Sequence, residues 1–350
     1  MNPSNKTIHY FSSNSCKIVK SLDLGTTSLI YVLQKDQQQT IAKVSRNPGK
    51  TNLLTEYRLL QYLNDTPLRG HVPAPVQWVP ELDGFLMEYR EMRYPSPGER
   101  EDQWFVADLG KLVKILHKLK IPAIPGLPDD RPVPSRAIIR GFEEDFRIIQ
   151  REETSWKRLS NTDRRRLRKV QEVHHVYAQR VENLRGSGLR ETGFRETNLP
   201  EPLEEAGPAL THGDLAGDNI LLARKAGPGS PSIPAQDEPP GTAMQGGGDG
   251  EETVMLLDWG SARISSGLAD VANLLVHQEW DSTGVQQFME IYYQDDPAMI
   301  EKTRPTLEAL VRLVRYRACL QSLEWLEGEG ETGLDEAGRA FFERQVQLLD

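Results

Sequence analysis

Two apolar runs, Ile220–Leu222 and Met255–Leu257, constrain this chain more than any other feature. Asn219 opens the first run and Asp258 closes the second. Between them lies Lys225–Glu252, which holds Pro228, Pro231, Pro234, Pro239, Pro240, Gly241 and the run Gly246–Gly248. Such a composition has no means of building a core, so residues 225–252 read as a flexible loop. Loops of this kind sit at hairpin tips. The two runs are therefore expected to pair, which brings Asn219 and Asp258 to neighbouring strand ends.

The segment entering the first run reads Thr211-His212-Gly213-Asp214-Leu215-Ala216-Gly217-Asp218-Asn219. Hard oxygen ligands such as Asn219 and Asp258 suit Mg²⁺ bound together with substrate phosphates. Asp214, five residues before Asn219, is placed to accept a proton from an attacking hydroxyl.

Composition narrows the partners. Lys and Arg number 42 against 51 Asp and Glu, a net charge of −9. That argues against general nucleic-acid binding, where a basic surface supplies most of the affinity. It is compatible with a cationic substrate. Two cysteines, Cys16 and Cys319, exclude a disulfide scaffold and a cysteine-built zinc site. The N-terminal stretch has no apolar run of signal-peptide length, and no apolar stretch of about 20 residues occurs anywhere. No membrane association is expected, and the cytoplasm is the default location. A length of 350 residues suits two lobes better than one compact unit. The oligomeric state stays open.

Residues 18–46 read as short strands: Ile18–Leu24, Ser28–Gln34 and Thr40–Ser45, with Gly25 and Lys35–Gln39 as turns. Asn52–Asn64 has helical spacing in Leu53, Tyr57, Leu60 and Leu63, with Glu56 among them. Val76–Val79 and Gly84–Tyr89 read as two more strands. The first ninety or so residues thus describe a small sheet carrying one helix. After Tyr94–Gly98, rich in Pro and Gly, the chain turns helical, and Trp104–Leu119 reads as an amphipathic helix. Residues 137–184 read as long, charged helical material, and 266–350 as helical.

The motif His-x-Asp-x4-Asn followed by a strand ending in Asp resembles the core of the kinase-like fold. His212-Gly213-Asp214-Leu215, Asn219-Ile220-Leu221 and Leu257-Asp258-Trp259 are similar to the aminoglycoside phosphotransferase and choline kinase superfamily. The resemblance implies an α+β, bilobal fold. A small β-rich N-lobe with one helix, residues 1–90, would bind nucleotide. A larger helical C-lobe, residues 91–350, would carry the catalytic loop and the acceptor helices. It implies ATP and Mg²⁺ as cofactors and a small-molecule hydroxyl acceptor. Asp214 would be the catalytic base, with Asn219 and Asp258 as metal ligands. Lys43, in Ile41-Ala42-Lys43-Val44, resembles the lysine that holds the α- and β-phosphates, with Glu56 as its partner. Gly25, Thr26, Thr27 and Ser28 match the turn above the phosphates, with one glycine where the family has a glycine-rich loop. Phe85–Tyr89 resembles the lobe connection, whose backbone near Glu88, Tyr89 and Arg90 would meet adenine. Asp270 resembles a structural aspartate that braces the catalytic loop.

Other features read as ordinary structure. His212 resembles a packed, hydrogen-bonded loop anchor. His174 and His175 are adjacent, and neighbouring helical residues do not share a face. The basic run Arg164–Lys169 reads as a solvated face, and the tract Glu324, Glu327, Glu329, Glu331 as a solvated turn. The acceptor stays open between aminoglycosides, choline-like amines, sugars, methylthioribose, homoserine and macrolides. Two alternatives remain: a nucleotide-binding module without turnover, and a protein kinase. The second is disfavoured by Leu-Asp-Trp and by the lack of an Ala-Pro-Glu segment after it.

Overall fold

Strand propensity and turn chemistry shape the N-terminal part. In a computed structural model of the chain, residues 3–22, 28–47, 49, 52–129, 208–224, 252–294, 296–325, 340–341, 343–345 and 348 are described. Helix α1 (Pro3–Ser13) precedes strands β1 (Lys17–Leu22), β2 (Ser28–Lys35) and β3 (Gln38–Ser45). Asp36 and Gln37 make the two-residue turn between β2 and β3. Asp36 has φ 56°, a left-handed conformation that aspartate tolerates. Helix α2 (Leu53–Asn64) follows, then β4 (Pro75–Val79) and β5 (Gly84–Glu88). The five strands form one sheet in the order β1-β2-β3-β5-β4. Lys43 stands opposite Ile30 on one side and Phe85 on the other. Gly84 has to be glycine, because a Cβ there would lie 2.5 Å from the Lys43 carbonyl oxygen.

A core of Phe11, Leu29, Tyr31, Leu33, Ala42, Val44, Val79 and Leu82 joins α1 to the sheet. Burial of Phe11 alone is worth about 1.5–3 kcal/mol. The sheet region thus carries α1 as well as the one helix expected from sequence. The buried stripe of α2 is Leu53, Glu56, Leu59, Leu60 and Leu63. Glu56 therefore occupies a position where helical spacing calls for an apolar residue.

Strand β6 (Met92–Arg93) leads to α3 (Pro97–Glu101) and α4 (Gln103–Lys118). The chain, expected to turn helical after Tyr94–Gly98, does so slightly earlier, at Pro97. Ser96 caps it: its side chain accepts from the Glu99 N–H, and the Glu99 carboxylate accepts from the Ser96 N–H. Helix α4 buries Phe105, Val106, Leu109, Leu112, Val113 and Leu116. Beyond residue 207 come β7 (Pro208–Thr211), β8 (Ile220–Arg224), β9 (Glu252–Leu256), β10 (Arg263–Ser266), α5 (Gly267–Gln278), α6 (Ser282–Tyr293) and α7 (Pro297–Trp325).

Strands β8 and β9 pair antiparallel from Ile220↔Leu256 to Arg224↔Glu252, and β6 adds to β8. The expected hairpin is present, with one correction. Glu252 belongs to β9, not to the connecting loop, because it pairs with Arg224. Residues 225–251, the helical stretch 137–184 and His174-His175 lie outside the described residues.

The chain groups into two compact units. One comprises Met1–Pro128, Ala209–Arg263 and Trp280–Asp295; the other comprises Asp129–Pro208, Ile264–Glu279 and Asp296–Asp350. This grouping does not follow a boundary at residue 90. In the first unit α4 packs on α6, where Gly110 lets Ile291 approach closely. In the second, α5 packs on α7. Asp270 is buried in the first turn of α5.

Candidate active site

Lys43 projects from the middle of β3 and is almost wholly buried. A buried ammonium needs anionic partners, because water no longer solvates it. Glu56 of α2 supplies both oxygens, at 2.8 and 2.9 Å from Lys43 Nζ. Asp258, just past β9, supplies a third at 2.7 Å. Burial opposes charge on Lys43, but the two carboxylates outweigh it and raise its pKa. Burial is likewise outweighed at Asp258, where Lys43 above all holds the carboxyl below its usual range. Asp258 has φ 56° and starts a short 3-10 turn. Gly260 follows, with its Cα hydrogens facing Asp258 and Glu56: a Cβ there would sit 3.5 and 3.6 Å from their oxygens.

The loop before β8 is fixed from within. The Asn219 amide donates to the Asp214 carbonyl at 2.9 Å and to Asp214 Oδ2 at 3.1 Å. Both partners only accept, so Nδ2 must face them. The Asn219 carbonyl oxygen is thereby turned away from Asp214. His212 is fully buried; Nε2 donates to the Leu257 carbonyl at 2.8 Å and Nδ1 accepts from the Asp214 N–H at 3.3 Å. The imidazole also packs on Trp259, ring centroids 4.5 Å apart. His212 is thus a loop anchor, as its sequence context suggested. The Leu257 N–H donates to the Asn219 carbonyl at 2.8 Å. That bond closes the register that brings the ends of β8 and β9 together.

The structure joins Lys43, Glu56 and Asp258 in one contact, and Asp214 and Asn219 in another. The remaining expected residues are placed by other means. Ser28 is buried at the start of β2, and its carbonyl accepts from Arg46. Gly25, Thr26 and Thr27 lie outside the described residues. Glu88 ends β5, its N–H donating to the Ala74 carbonyl at 2.9 Å. Tyr89 is exposed. Arg90 donates from Nη1 to the Gly70 carbonyl at 3.0 Å.

Three residues were not singled out by sequence reasoning. Gly213 has φ +81°, and a Cβ there would meet the Ser261 carbonyl oxygen at 2.2 Å. Only glycine fits, and its place between His212 and Asp214 was the available signal. Trp259 is buried and donates from Nε1 to the Leu256 carbonyl at 2.9 Å. Its signal was the Leu-Asp-Trp triplet itself. His71 sits in the loop after α2, and nothing local in the sequence marks it.

The donor chemistry suits a hard divalent cation. It consists of one amide oxygen, turned outward by its own hydrogen bonds, and a half-exposed carboxylate kept ionised by a lysine. Among the described residues no cluster of three or more His, Cys, Asp or Glu could hold a metal ion by itself.

Comparison with known proteins shows the family and the fold. Residues 18–230 match the phosphotransferase enzyme family. Among solved structures, the chain is similar to an ethanolamine kinase of Plasmodium vivax. The identity is 13% and the TM-score 0.59, over 98% of this chain and 85% of that one. It is similar to the choline kinase LicA from Streptococcus pneumoniae at 15% identity and TM-score 0.56, over 99% and 98%. An ADP-bound aminoglycoside phosphotransferase gives 14% and 0.54, over 98% and 97%. The fold is thus the α+β, protein-kinase-like one. No curated protein matches the sequence.

Proposed function

The chain belongs to the phosphotransferase enzyme family and is a small-molecule kinase, and from that premise we propose that it transfers the γ-phosphoryl group of ATP to a hydroxyl. The carrying observation is the contact of Lys43 Nζ with both Glu56 and Asp258. It joins the sheet that would hold nucleotide to the end of the β8–β9 hairpin, where the loop of Asp214 and Asn219 enters β8. In this reading residues 1–90 serve the nucleotide and 91–350 serve catalysis and acceptor.

Lys43, oriented by Glu56, binds the α- and β-phosphates. Gly25, Thr26, Thr27 and Ser28 cover the phosphates from above. The backbone of Glu88, Tyr89 and Arg90 takes the adenine. Asn219, through its carbonyl oxygen, and Asp258 hold Mg²⁺. When bound, the ion neutralises charge on the transferring phosphoryl group. Asp214 orients the acceptor hydroxyl and takes its proton. An oxygen–phosphorus bond then forms at the acceptor as the bond to the β-bridging oxygen breaks. The transition state is loose, so the chain contributes mainly positioning and electrostatics.

The acceptor in this reading carries an amine, as an aminoglycoside or a choline-like compound does. Two things support it: the net charge of −9, and structural neighbours named as choline, ethanolamine and aminoglycoside kinases. Among the described residues no helix is long and apolar enough to cross a membrane.

The test is ADP release from Mg-ATP across aminoglycosides, choline, ethanolamine, homoserine, methylthioribose and simple sugars. Asp214→Ala should cut turnover by about 10²–10⁴-fold while leaving Mg-ATP affinity within a few-fold. Full rate in that variant would remove Asp214 from its role. Turnover confined to neutral sugars would overturn the amine-bearing acceptor.

A further inference from the structure

The loop that follows α2, residues 65–74, is braced on every side. Its start is tied to the helix: Thr66 Oγ1 donates to the Leu63 carbonyl at 2.7 Å. Asn64 donates to the Leu60 carbonyl and to the Pro73 carbonyl, both at 2.9 Å. Leu68 and Val72 are fully buried within it. Its far end accepts the Glu88 N–H at Ala74, and its middle accepts the Arg90 guanidinium at Gly70. The same loop therefore contacts the helix that carries Glu56 and the segment proposed to meet adenine.

At its centre His71 reaches the strand that delivers Asp258. The His71 carbonyl accepts the Leu256 N–H at 2.8 Å. Its Nδ1 lies 2.9 Å from the Val254 carbonyl and 3.1 Å from Thr253 Oγ1. A carbonyl only accepts, so Nδ1 carries a proton and donates. Main chain and side chain of one residue thus hold alternate positions of β9, 254 and 256, two residues before Asp258. A single strand ends freely unless something fixes its height against its neighbours. Here the pairing with β8 sets it on one edge, and His71 sets it from the loop of α2.

We propose that His71 is a positioning residue for phosphoryl transfer: it locks β9 to the loop that carries Glu56's helix, so that Asp258 meets the metal at a fixed distance from Lys43. This rests on the reading of Asp258 as a metal ligand. Groups that orient a ligand from behind usually change metal affinity when lost, while a plain packing residue lowers stability and leaves metal affinity alone.

The experiment is calorimetric titration of ADP into the full chain over a series of Mg²⁺ concentrations, with thermal melting in parallel. Asp258→Ala serves as the reference. His71→Ala should raise the Mg²⁺ concentration needed for half-maximal nucleotide binding by about tenfold, with binding without Mg²⁺ unchanged. His71→Asn, whose amide N–H can stand where Nδ1–H stood, should restore the requirement to within about twofold of the parent. Thr253→Val, which removes the second partner and keeps the shape, should give a small shift in the same direction and stands in if His71→Ala does not fold. A lowered melting temperature with an unchanged Mg²⁺ requirement in His71→Ala, or in Thr253→Val when His71→Ala does not fold, would overturn the inference. No change of Mg²⁺ requirement in Asp258→Ala would instead overturn the metal assignment beneath it. Those two failures are distinguishable because they fall on different variants.

Discussion

Two clusters in this molecule have the same make-up, one cation between two carboxylates, in opposite settings. Lys43 stands between Glu56 and Asp258. Arg93 stands between Glu99, at 2.6 and 2.8 Å, and Glu252, at 2.9 Å from Nε. The Lys43 and Glu56 side chains are 7% and 3% exposed, those of Arg93 and Glu99 45% and 28%. Water and salt screen the second cluster, so such a pair is worth about 0–1 kcal/mol. Its use is geometric: it ties the capping box of α3 to the first residue of β9. The first cluster has given up its water, at a cost of several kcal/mol per ion that good geometry only offsets. A helix that places a carboxylate in its apolar stripe gains little stability from it. The arrangement makes sense as a fixed point for something that binds there. Asp258, 58% exposed, is the member that faces outward.

The contrast can be broken by removing each cation. Lys43→Met would leave the Glu56 carboxyl, which burial already raises above its usual range, enclosed without its cation, and should cost about 3–5 kcal/mol in chemical unfolding. Adding Glu56→Leu should recover most of that stability and none of the nucleotide binding. A single variant that unfolds at the parent midpoint would put both clusters in one class. Arg93→Met should cost about 0–1 kcal/mol, and less still at high salt. A loss above about 2 kcal/mol would show the exposed cluster doing more than ordinary surface pairs do.

The smallest effect concerns acid. Hydrogen bonds from Arg93, then from the Ser96 N–H, hold the Glu99 carboxyl down at about 2. The folded state therefore binds that proton more weakly than the unfolded chain does. Its contribution is fully present above the unfolded value of about 4.3 and is lost as pH falls through about 2. Unfolding free energies of the parent and Glu99→Gln should differ slightly near pH 5 and converge toward about pH 2. A gap that widens as pH falls would reverse the sign assigned to this group.

Much of the site was legible because its residues are local in sequence or carried by a resemblance. Asp214 and Asn219 stand five apart and bond to each other directly. Pairing of the two apolar runs followed from an intervening stretch that cannot form a core. Glu56 was marked by the resemblance, as the partner of Lys43. The rest depends on contacts between distant segments. His71 meets Val254 and Thr253 across more than 180 positions, and no local pattern announces such a bond. Helix α1 was not legible because its stretch is largely polar, although Phe11 and Thr7 are buried in it and Tyr10 packs on the same core. The capping box of Ser96 and Glu99 was written in the sequence, hidden under a Pro-Gly pair that reads as a turn.

The hairpin of β8 and β9 separates chemistry from length. Its open end is the ladder pair Arg224↔Glu252, and its other end is Ile220↔Leu256, next to Asn219 and Asp258. Whatever chain runs from 225 to 251 leaves and returns at adjoining rungs. Loop-closure entropy grows slowly, by only about 0.6 kcal/mol for each doubling of a connection's length. Lengthening or trimming that stretch therefore taxes closure and leaves the spacing of the two oxygen donors as the ladder sets it. The end that bears Asn219 and Asp258 is insulated by the ladder from the length of the connection at the other end.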